Sequence, residues 1–356
     1  MFTTSAYGLA EYNTPDRKFG AELGLRLDHY FLLGDGFSLQ TKPVLNPRLN
    51  IDLNVLKNKW FIESADLNIG TGLFTSIDNS VYMAEEQYRV TDAKPNRAWT
   101  SVLGARLESG QGLIVTVEGY YKYLWDRMYI PVVFSLDDLD IKPQFNGEGK
   151  IWGLDVMIQK LQSRFWDGWI TYSYSWAKYR DPSDIQANMG ISGGTRGDDW
   201  YFPGFHRFHN LNLILNIKPT PRFTIYTRFG YASGIQILKR VSDAPVSYPV
   251  LIYDTANPAA IPVLIEKYYW PSVRDENNRS SATFPMDIKF SFNGKNETGK
   301  SRYEWYIAIE NALILFYQSQ GNTSYNTYTG QVDSGSSSAN FEIPIPTPSF
   351  GFKVSY

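Results

Sequence analysis

Two adjoining runs of alternating residues constrain this chain more than any other feature. From Asn210 to Ile217, leucine or isoleucine fills every odd position and asparagine fills three of the four even positions. After the breaker Pro219-Thr-Pro221, the run from Phe223 to Phe229 alternates again. A period of two residues is typical of a β-strand with one apolar face. Residues 208–234 are therefore predicted to form an antiparallel hairpin.

The same pattern recurs along the chain and predicts about thirteen strands. Their connections alternate between short and long, as in outer-membrane barrels, which have short periplasmic turns and long extracellular loops. One long connection, of about 45 residues after Gly234, shows no comparable alternation and is predicted to be irregular. The predicted turns centre near Asp16, Asn58, Gly110, Thr220 and Asn296, and the predicted loops near Asp78, Asp198, Ala259 and Gly335.

Composition narrows the class of protein. The formal net charge is −2 and no basic tract is present, which argues against a nucleic-acid partner. The chain contains no cysteine, so disulfides and cysteine-ligated metals are excluded. Aromatic residues make up 16% of the chain, yet no apolar run approaches the roughly 18 to 20 residues of a membrane helix. A membrane β-barrel accounts for this combination. A soluble β protein would also alternate, so composition alone leaves both open.

Charged residues on the strand faces indicate what those faces contact. Six polar or charged residues oppose apolar residues on predicted strands: Glu22, Arg26, Glu118, Lys122, Asn212 and Arg228. An unpaired charge is costly in an apolar core and costs little in a water-filled lumen. We predict that these residues line a lumen; pairing across strands is the alternative.

Three short motifs are similar to known sites of chemistry. Residues 294–301 match the phosphate-binding pattern G-x-x-x-x-G-K-[ST], but a β-like segment follows where such a site needs a helix, so a polar turn is favoured. Residues 190–194 match G-x-S-x-G within a loop rich in glycine and aspartate. His206 and His209 are three apart, which on a strand places them on opposite faces. We predict no catalytic residue, no metal site, no cofactor and no enzymatic activity.

Aromatic residues in two predicted outer loops are candidate ligand contacts. Interfacial anchoring and loop packing are the competing interpretations for each of them. The candidates are Tyr268, Tyr269, Trp270, Tyr325 and Tyr328.

Several motifs occur in the order in which they occur in the TonB-dependent outer-membrane receptors, and the chain resembles that family over nearly its whole length. The resemblance is carried by residues 6–12, Leu23-Gly-Leu-Arg-Leu-Asp-His-Tyr30, Leu45-Asn-Pro-Arg48, Val117-Glu-Gly-Tyr-Tyr-Lys122, Gly168-Trp-Ile-Thr-Tyr-Ser-Tyr-Ser175, His209-Asn-Leu-Asn-Leu213, Ala232-Ser-Gly234 and Glu310-Asn311. The terminal aromatic Tyr356 is similar to the signal that the barrel-assembly machinery reads.

The resemblance implies an all-β, antiparallel transmembrane β-barrel. Family members have 22 strands, an amino-terminal plug in the lumen and a TonB box. This chain resembles roughly the last thirteen strands, and neither plug nor box is found in residues 1–356. Thirteen is an odd number, whereas bacterial single-chain barrels have even strand numbers. Together with an amino terminus that has no apolar signal-peptide region, this predicts a partial barrel domain.

The implied function is uptake of a scarce nutrient such as a metal chelate, cofactor or glycan across the Gram-negative outer membrane. The implied partners are outer-membrane lipid, the barrel-assembly machinery and, only through the missing amino-terminal region, TonB. A passive porin-like or structural barrel is the alternative from another class. A soluble phosphate-loop enzyme is the third.

Overall fold

A computed structural model describes residues 2–34, 37–77, 94–129, 143–182, 200–240, 246–252, 263–269, 272–295, 302–312, 317–318, 341–342 and 346–355. Strands account for most of these residues. Within these ranges, no helix is long and apolar enough to cross a membrane.

Twenty strands are present in the described ranges. They are β1 (Phe2–Asn13), β2 (Phe19–Gly34), β3 (Phe37–Gln40), β4 (Val44–Lys59), β5 (Ile62–Ser76), β6 (Asn96–Ser109), β7 (Leu113–Tyr129), β8 (Gln144–Lys160), β9 (Trp166–Arg180), β10 (His209–Thr220), β11 (Phe223–Ala232), β12 (Gln236–Arg240), β13 (Val246–Ile252), β14 (Val263–Tyr269), β15 (Ser272–Arg279), β16 (Met286–Lys295), β17 (Arg302–Glu310), β18 (Tyr317–Gln318), β19 (Phe341–Glu342) and β20 (Thr347–Ser355).

Thirteen of these strands follow one another in a single sheet. Its order is β1-β2-β4-β5-β6-β7-β8-β9-β10-β11-β16-β17-β20, every neighbouring pair is antiparallel, and the short β3 pairs with the end of β2. The predicted strand number and antiparallel arrangement are confirmed. Tyr356, the predicted assembly signal, lies outside the described residues.

The predicted hairpin is β10 and β11, with residues 221–222 at its turn. Leu213 lies opposite Phe229 of β11 and Ile170 of β9, whereas Asn212 lies opposite Gly230 and Thr171. Residues that lie directly opposite each other in an antiparallel pair share a face of the sheet. The apolar and polar faces that the alternation predicts therefore continue from strand to strand.

The apolar face carries large side chains that the rest of the protein leaves exposed. Among its exposed members are Leu23, Leu49, Ile69, Leu103, Val117, Leu154 and Ile307. An apolar surface of this extent is unfavourable in water. In membrane barrels it faces the hydrocarbon, because alternate residues of each strand point to lipid.

Strand direction fixes where the connections lie. Because neighbours are antiparallel, the turns after β1, β4, β6, β8 and β10 share one end of the sheet, called here the short-turn end. The opposite end, where the long connections begin, is called the rim. The predicted turn centres Asp16, Asn58, Gly110 and Thr220 lie at the short-turn end. Asn296 and the predicted loop centres Asp78, Asp198, Ala259 and Gly335 lie outside the described residues.

The prediction of an irregular connection after Gly234 was wrong. In this segment β12 pairs with β15 and β13 pairs with β14, so two antiparallel pairs stand where no strand was predicted. We call the β12 and β15 pair the ribbon base. Its second strand, Ser272–Arg279, is polar except for Val273, so hydrogen bonding rather than apolar alternation defines it. A period-two search for apolar residues cannot detect such a strand.

The two faces of β10 give a direct test of orientation. Leu213→Arg places a charge on the apolar face, which costs about 2 to 4 kcal/mol near the middle of a bilayer, whereas Asn212→Arg places it on the polar face. We expect the first variant to lose much more of the heat-resistant folded species in detergent electrophoresis. Equal losses would show that the faces are assigned wrongly.

Candidate functional site

All six residues predicted to line a lumen lie on one face of the sheet, the polar face. The cross-strand register connects them from β2 to β11 through directly opposed pairs such as Glu22 with Asn50 and Arg228 with Asp287. Glu118 lies opposite Asp155, and Asn212 donates a hydrogen bond of 3.4 Å to Asn210. The structure thus brings these six residues to the same side, spread over many strands rather than gathered at one point.

Most of these charges have neighbours that satisfy them. Arg228 forms a 3.3 Å ion pair with Asp287, and Glu22 accepts a 3.1 Å hydrogen bond from Asn50 Nδ2. Lys122 Nζ lies 5.5 Å from the centre of the Tyr120 ring. Several of these residues therefore pair across strands on the polar face, and their place in a lumen stays a prediction.

A buried polar network surrounds Asp28, next to the predicted Arg26. The Asp28 carboxylate accepts hydrogen bonds from Ser5 Oγ at 2.6 Å, Arg26 Nε at 2.8 Å and Asn46 Nδ2 at 2.7 Å. Asn46 is 1% exposed and also reaches Thr75 Oγ1 at 3.1 Å. The network ties β1, β2, β4 and β5 together. Sequence analysis missed it because its members are distant in the chain and carry no shared spacing.

The polar face also holds a groove across β10, β11, β16 and β17. Its volume is about 240 Å³, and it is lined by side chains that include Asn216, Tyr226, Arg228, Asp287 and Lys289. Lys289 Nζ lies 3.0 Å from Glu304 Oε1 and 4.3 Å from the centre of the Tyr306 ring. Both charge signs are present, so the groove suits a polar partner with no strong net charge.

At the rim, residues 200–208 dock against the end of β9. Tyr179 and Tyr201 exchange two backbone hydrogen bonds of 2.8 and 2.9 Å, and the Ser175 amide donates to the Phe208 carbonyl at 3.0 Å. Phe202 is 4% exposed and packs edge-on against the Trp176 ring at 5.9 Å. The segment therefore extends the sheet above the start of β10.

His206 lies in this segment and is 3% exposed. Its Nε2 is 3.0 Å from the Ser175 carbonyl, which can only accept, while its Nδ1 is 3.2 Å from Arg279 Nη2, which can only donate. The ring is therefore neutral, with the proton on Nε2. Burial lowers the pKa of His206 below its ordinary value of 6.5, and the charge of Arg279 lowers it further.

Arg279 connects the rim to the ribbon base. It ends β15, its guanidinium lies 4.1 Å from the centre of the Phe208 ring, and it donates to the carbonyls of His206 and Gly234 at 3.3 and 3.2 Å. Lys178 of β9 also forms an ion pair with Glu276 of β15. We call His206, Arg279, Lys178 and Glu276, with Phe202 and Phe208, the rim cluster. It fixes the ribbon base against the sheet.

A second ion pair at the rim joins β7 to the end of β9. Arg127 pairs with Asp181, which also accepts a hydrogen bond from the Tyr201 hydroxyl. The guanidinium lies 4.3 Å from the centre of the Tyr179 ring. Contacts between a cation and an aromatic ring thus recur along this rim. Each such contact contributes about 0.5 to 2 kcal/mol of stabilising free energy.

The predicted ligand-contact aromatics fall mostly outside the described residues. Tyr268 and Tyr269 are the last two residues of β14, beyond the ribbon base. Trp270, Tyr325 and Tyr328 lie outside the ranges that the structure describes. Their role in ligand binding therefore stays a prediction.

The parts of the three short motifs that lie in the described ranges have structural explanations. Strand β17 follows residues 294–301, as the interpretation as a turn requires, although residues 296–301 themselves and residues 190–194 lie outside the described ranges. His209 Nδ1 contacts the Tyr172 hydroxyl at 2.9 Å, so it and His206 have different partners. Of the described residues, no group of three or more histidines, aspartates or glutamates is placed to hold a metal ion.

The protonation state of His206 should make attachment of the ribbon base depend on pH. The folded pKa lies below the unfolded value of 6.5, so the stabilisation is complete above pH 6.5 and is lost as pH falls below it. We expect amide hydrogen exchange in β15, corrected for its intrinsic pH dependence, to be faster at pH 5 than at pH 7.5.

Two histidine variants separate this effect from general acid destabilisation. His206→Gln has no group that titrates in this range, so the pH difference should largely disappear. His209→Gln, at the neighbouring rim position, should retain it. A pH difference that survives in His206→Gln would assign the effect to another residue.

Gly234 should be required at the rim because of close packing. A Cβ atom there would overlap the Ser280 carbonyl oxygen, whereas Gly204 on the same rim has open space around it. We expect Gly234→Ala to destabilise the folded form by about 1 to 3 kcal/mol, in the range of overpacked sites. Gly204→Ala is the matched control and should melt like the parent; equal melting of both variants would contradict the packing.

Comparison with known proteins finds similarity to solved structures only. No family model and no curated protein sequence matches the chain. Solved structures do match it. The FrpB iron transporter from Neisseria meningitidis aligns with a TM-score of 0.54 at 12% identity, covering 88% of this chain and 41% of that one.

Two further structures give the same result. The siderophore receptor PiuA from Acinetobacter baumannii aligns with a TM-score of 0.57 at 13% identity, covering 88% of this chain and 39% of that one. The copper transporter OprC aligns with a TM-score of 0.56 at 13% identity, covering 99% and 47%. The chain spans less than half the length of each of these proteins. Identities this low establish the fold alone, and the thirteen-stranded antiparallel sheet has the barrel fold of TonB-dependent outer-membrane receptors, as the sequence resemblance predicted.

Proposed function

We propose that this chain supplies barrel strands of an outer-membrane transporter that takes up a scarce nutrient with energy delivered through TonB. The observation that carries the proposal is the match of this sheet, over 88% of the chain, to the structures of an iron transporter and a siderophore receptor. In this function the apolar face contacts outer-membrane lipid and the polar face lines the lumen. Assembly through the last strand and energising through TonB are parts of the same proposal.

A metal chelate is the first candidate among the nutrients that the resemblance implies. Matching structures are named as an iron transporter, a copper transporter, a siderophore receptor and the Ferric-Catecholate import receptor Fiu from K12 E. coli. Lys178 and Arg279 at the rim both lie over the Phe202 ring, at 4.7 and 5.2 Å. These contacts are internal to the rim cluster, so the candidate rests on the names of the matching structures.

Uptake by cells tests the proposal. The full gene product is expressed in a strain that lacks its own siderophore receptors, and entry of radiolabelled iron is measured with a panel of catecholate and hydroxamate chelates. We expect uptake of at least one chelate that stops when TonB is deleted. Uptake that persists without TonB, with free passage of small sugars, would instead indicate a passive porin.

A variant of the rim cluster tests where the ligand is captured. Arg279→Gln removes the contacts that hold the ribbon base, so we expect a weaker Kd for the chelate and an unchanged heat-resistant barrel. Lys94→Gln is the matched control, since Lys94 is exposed at the rim and no described carboxylate lies within ion-pair distance of it. Equal affinity of the Arg279→Gln variant and the parent would place capture elsewhere.

A further inference from the structure

The polar face carries two cations near the rim that no neighbouring carboxylate neutralises. They are Arg48 of β4 and Lys122 of β7, and no carboxylate of the described residues lies within ion-pair distance of either. Elsewhere on this face cations pair with carboxylates, as Arg26 does with Asp28 at 2.8 Å. Two positive charges without such a partner attract anions to this part of the face.

The register places both cations in one cross-strand row. Arg48 lies opposite Gly72 of β5. Thr100 of β6 lies opposite Gly72 on one side and opposite Lys122 on the other. Because neighbouring strands are about 4.8 Å apart, the backbones at the two cations are separated by about 14 Å. The row lies four residues from the rim ends of β4, β5 and β6, so both cations are near the rim.

The Arg48 side chain crosses Gly72 and lies over an aromatic ring. Its Cγ is 3.0 Å from the position that a Cβ of Gly72 would take, and its guanidinium is 4.5 Å from the centre of the Phe74 ring. Gly72 and Phe74 both belong to β5, so the side chain extends across that strand towards Lys122. A guanidinium over an aromatic ring still donates hydrogen bonds from its edge. The ring therefore holds the donors of Arg48 in a position to bind an anion.

Small side chains lie between the two cations. Gly72 and Thr100 occupy the intervening positions of the row, and Ala98 lies on the same face of β6. A small molecule can therefore lie against the sheet and reach both cations. The planar fork of Arg48 matches the two oxygens of a carboxylate, whereas Lys122 offers a compact positive charge.

The next row towards the short-turn end has the opposite charge. Glu118 of β7 lies opposite Asp155 of β8, and no cation of the described residues lies within ion-pair distance of either carboxylate. Glu118 is four residues from Lys122 along the same strand, which is a distance of about 13 Å. An anion is therefore attracted to the face near the rim and repelled from the part below it.

We propose that Arg48 and Lys122 bind a small anionic chelate through its carboxylate groups, on the polar face near the rim. Arg48 donates paired N–H groups to one carboxylate and Lys122 donates to a second. The carboxylates of Glu118 and Asp155 keep the ligand at this height. This site rests on the proposed transport function, in which the polar face lines the lumen, and it adds the charge class of the ligand and the residues that select it.

Calorimetric titration of the full gene product in detergent tests the site. We expect the parent to bind ferric citrate roughly tenfold more tightly than ferrichrome, an uncharged trihydroxamate chelate. Arg48→Gln and Lys122→Gln should each weaken ferric citrate binding by about tenfold. Arg48→Lys should weaken it less than Arg48→Gln, because it keeps the charge and loses the paired donors. The heat-resistant species in detergent electrophoresis checks that each variant is folded.

Two variants on the same face control for the general effect of charge. Arg106→Gln removes a cation that pairs with Glu108 at 2.8 Å, and Glu118→Gln removes an anion from the row below. Neither should weaken ferric citrate binding. Equal affinity of the parent for the two chelates, or equal losses in Arg106→Gln and Arg48→Gln, would overturn the proposal.

Uptake by cells separates this site from the transport function. TonB-dependent entry of iron from ferrichrome but not from ferric citrate would retain transport and contradict the anionic site. Binding of ferric citrate that is lost in Arg48→Gln, without TonB-dependent uptake of either chelate, would retain the site and contradict transport.

Discussion

The structure depends on the ladder of backbone hydrogen bonds that joins each strand to its neighbours in one long sheet. Because that ladder pairs residues directly across antiparallel strands, it gives every strand the same two faces. Leu213 therefore continues the apolar surface of Ile170 and Phe229, and Asn212 continues the polar surface of Thr171 and Gly230. The charges of the polar face and the leucines of the apolar face are two results of one geometric rule.

The sequence was sufficient to predict the strands that obey this rule and insufficient for those that do not. The sequence predicts strand β10 because one of its faces is apolar and the other holds asparagine. Strand β15, with the sequence Ser-Val-Arg-Asp-Glu-Asn-Asn-Arg, has no apolar face, so its pairing with β12 is visible only in three dimensions. Apolar periodicity indicates that one face of a strand packs against an apolar phase. A ribbon at the rim has no such face, so it shows no such periodicity.

The same limit applies to the sites. Glu22 and Arg228 could be assigned to the polar face from their parity alone, whereas the partners of His206 could not be predicted. His206 contacts Ser175, 31 positions away, and Arg279, 73 positions away. Its spacing from His209 carries no information about these contacts, because they are made by a connection that folds back onto β9.

Strand length has a consequence for the mouth of the barrel. A strand tilted by about 40° needs about ten residues to cross an apolar band about 25 Å tall, while β7 and β8 each contain 17. The excess continues outward as a hydrogen-bonded wall, interrupted by the register shift near Asp126, whose φ is +52°. Side chains alternate with period two. Such a wall therefore keeps its inner and outer faces when two residues are inserted into, or removed from, each of its strands. Such a change lengthens or shortens each strand by about 7 Å and, at this tilt, alters the height of the mouth by about 5 Å.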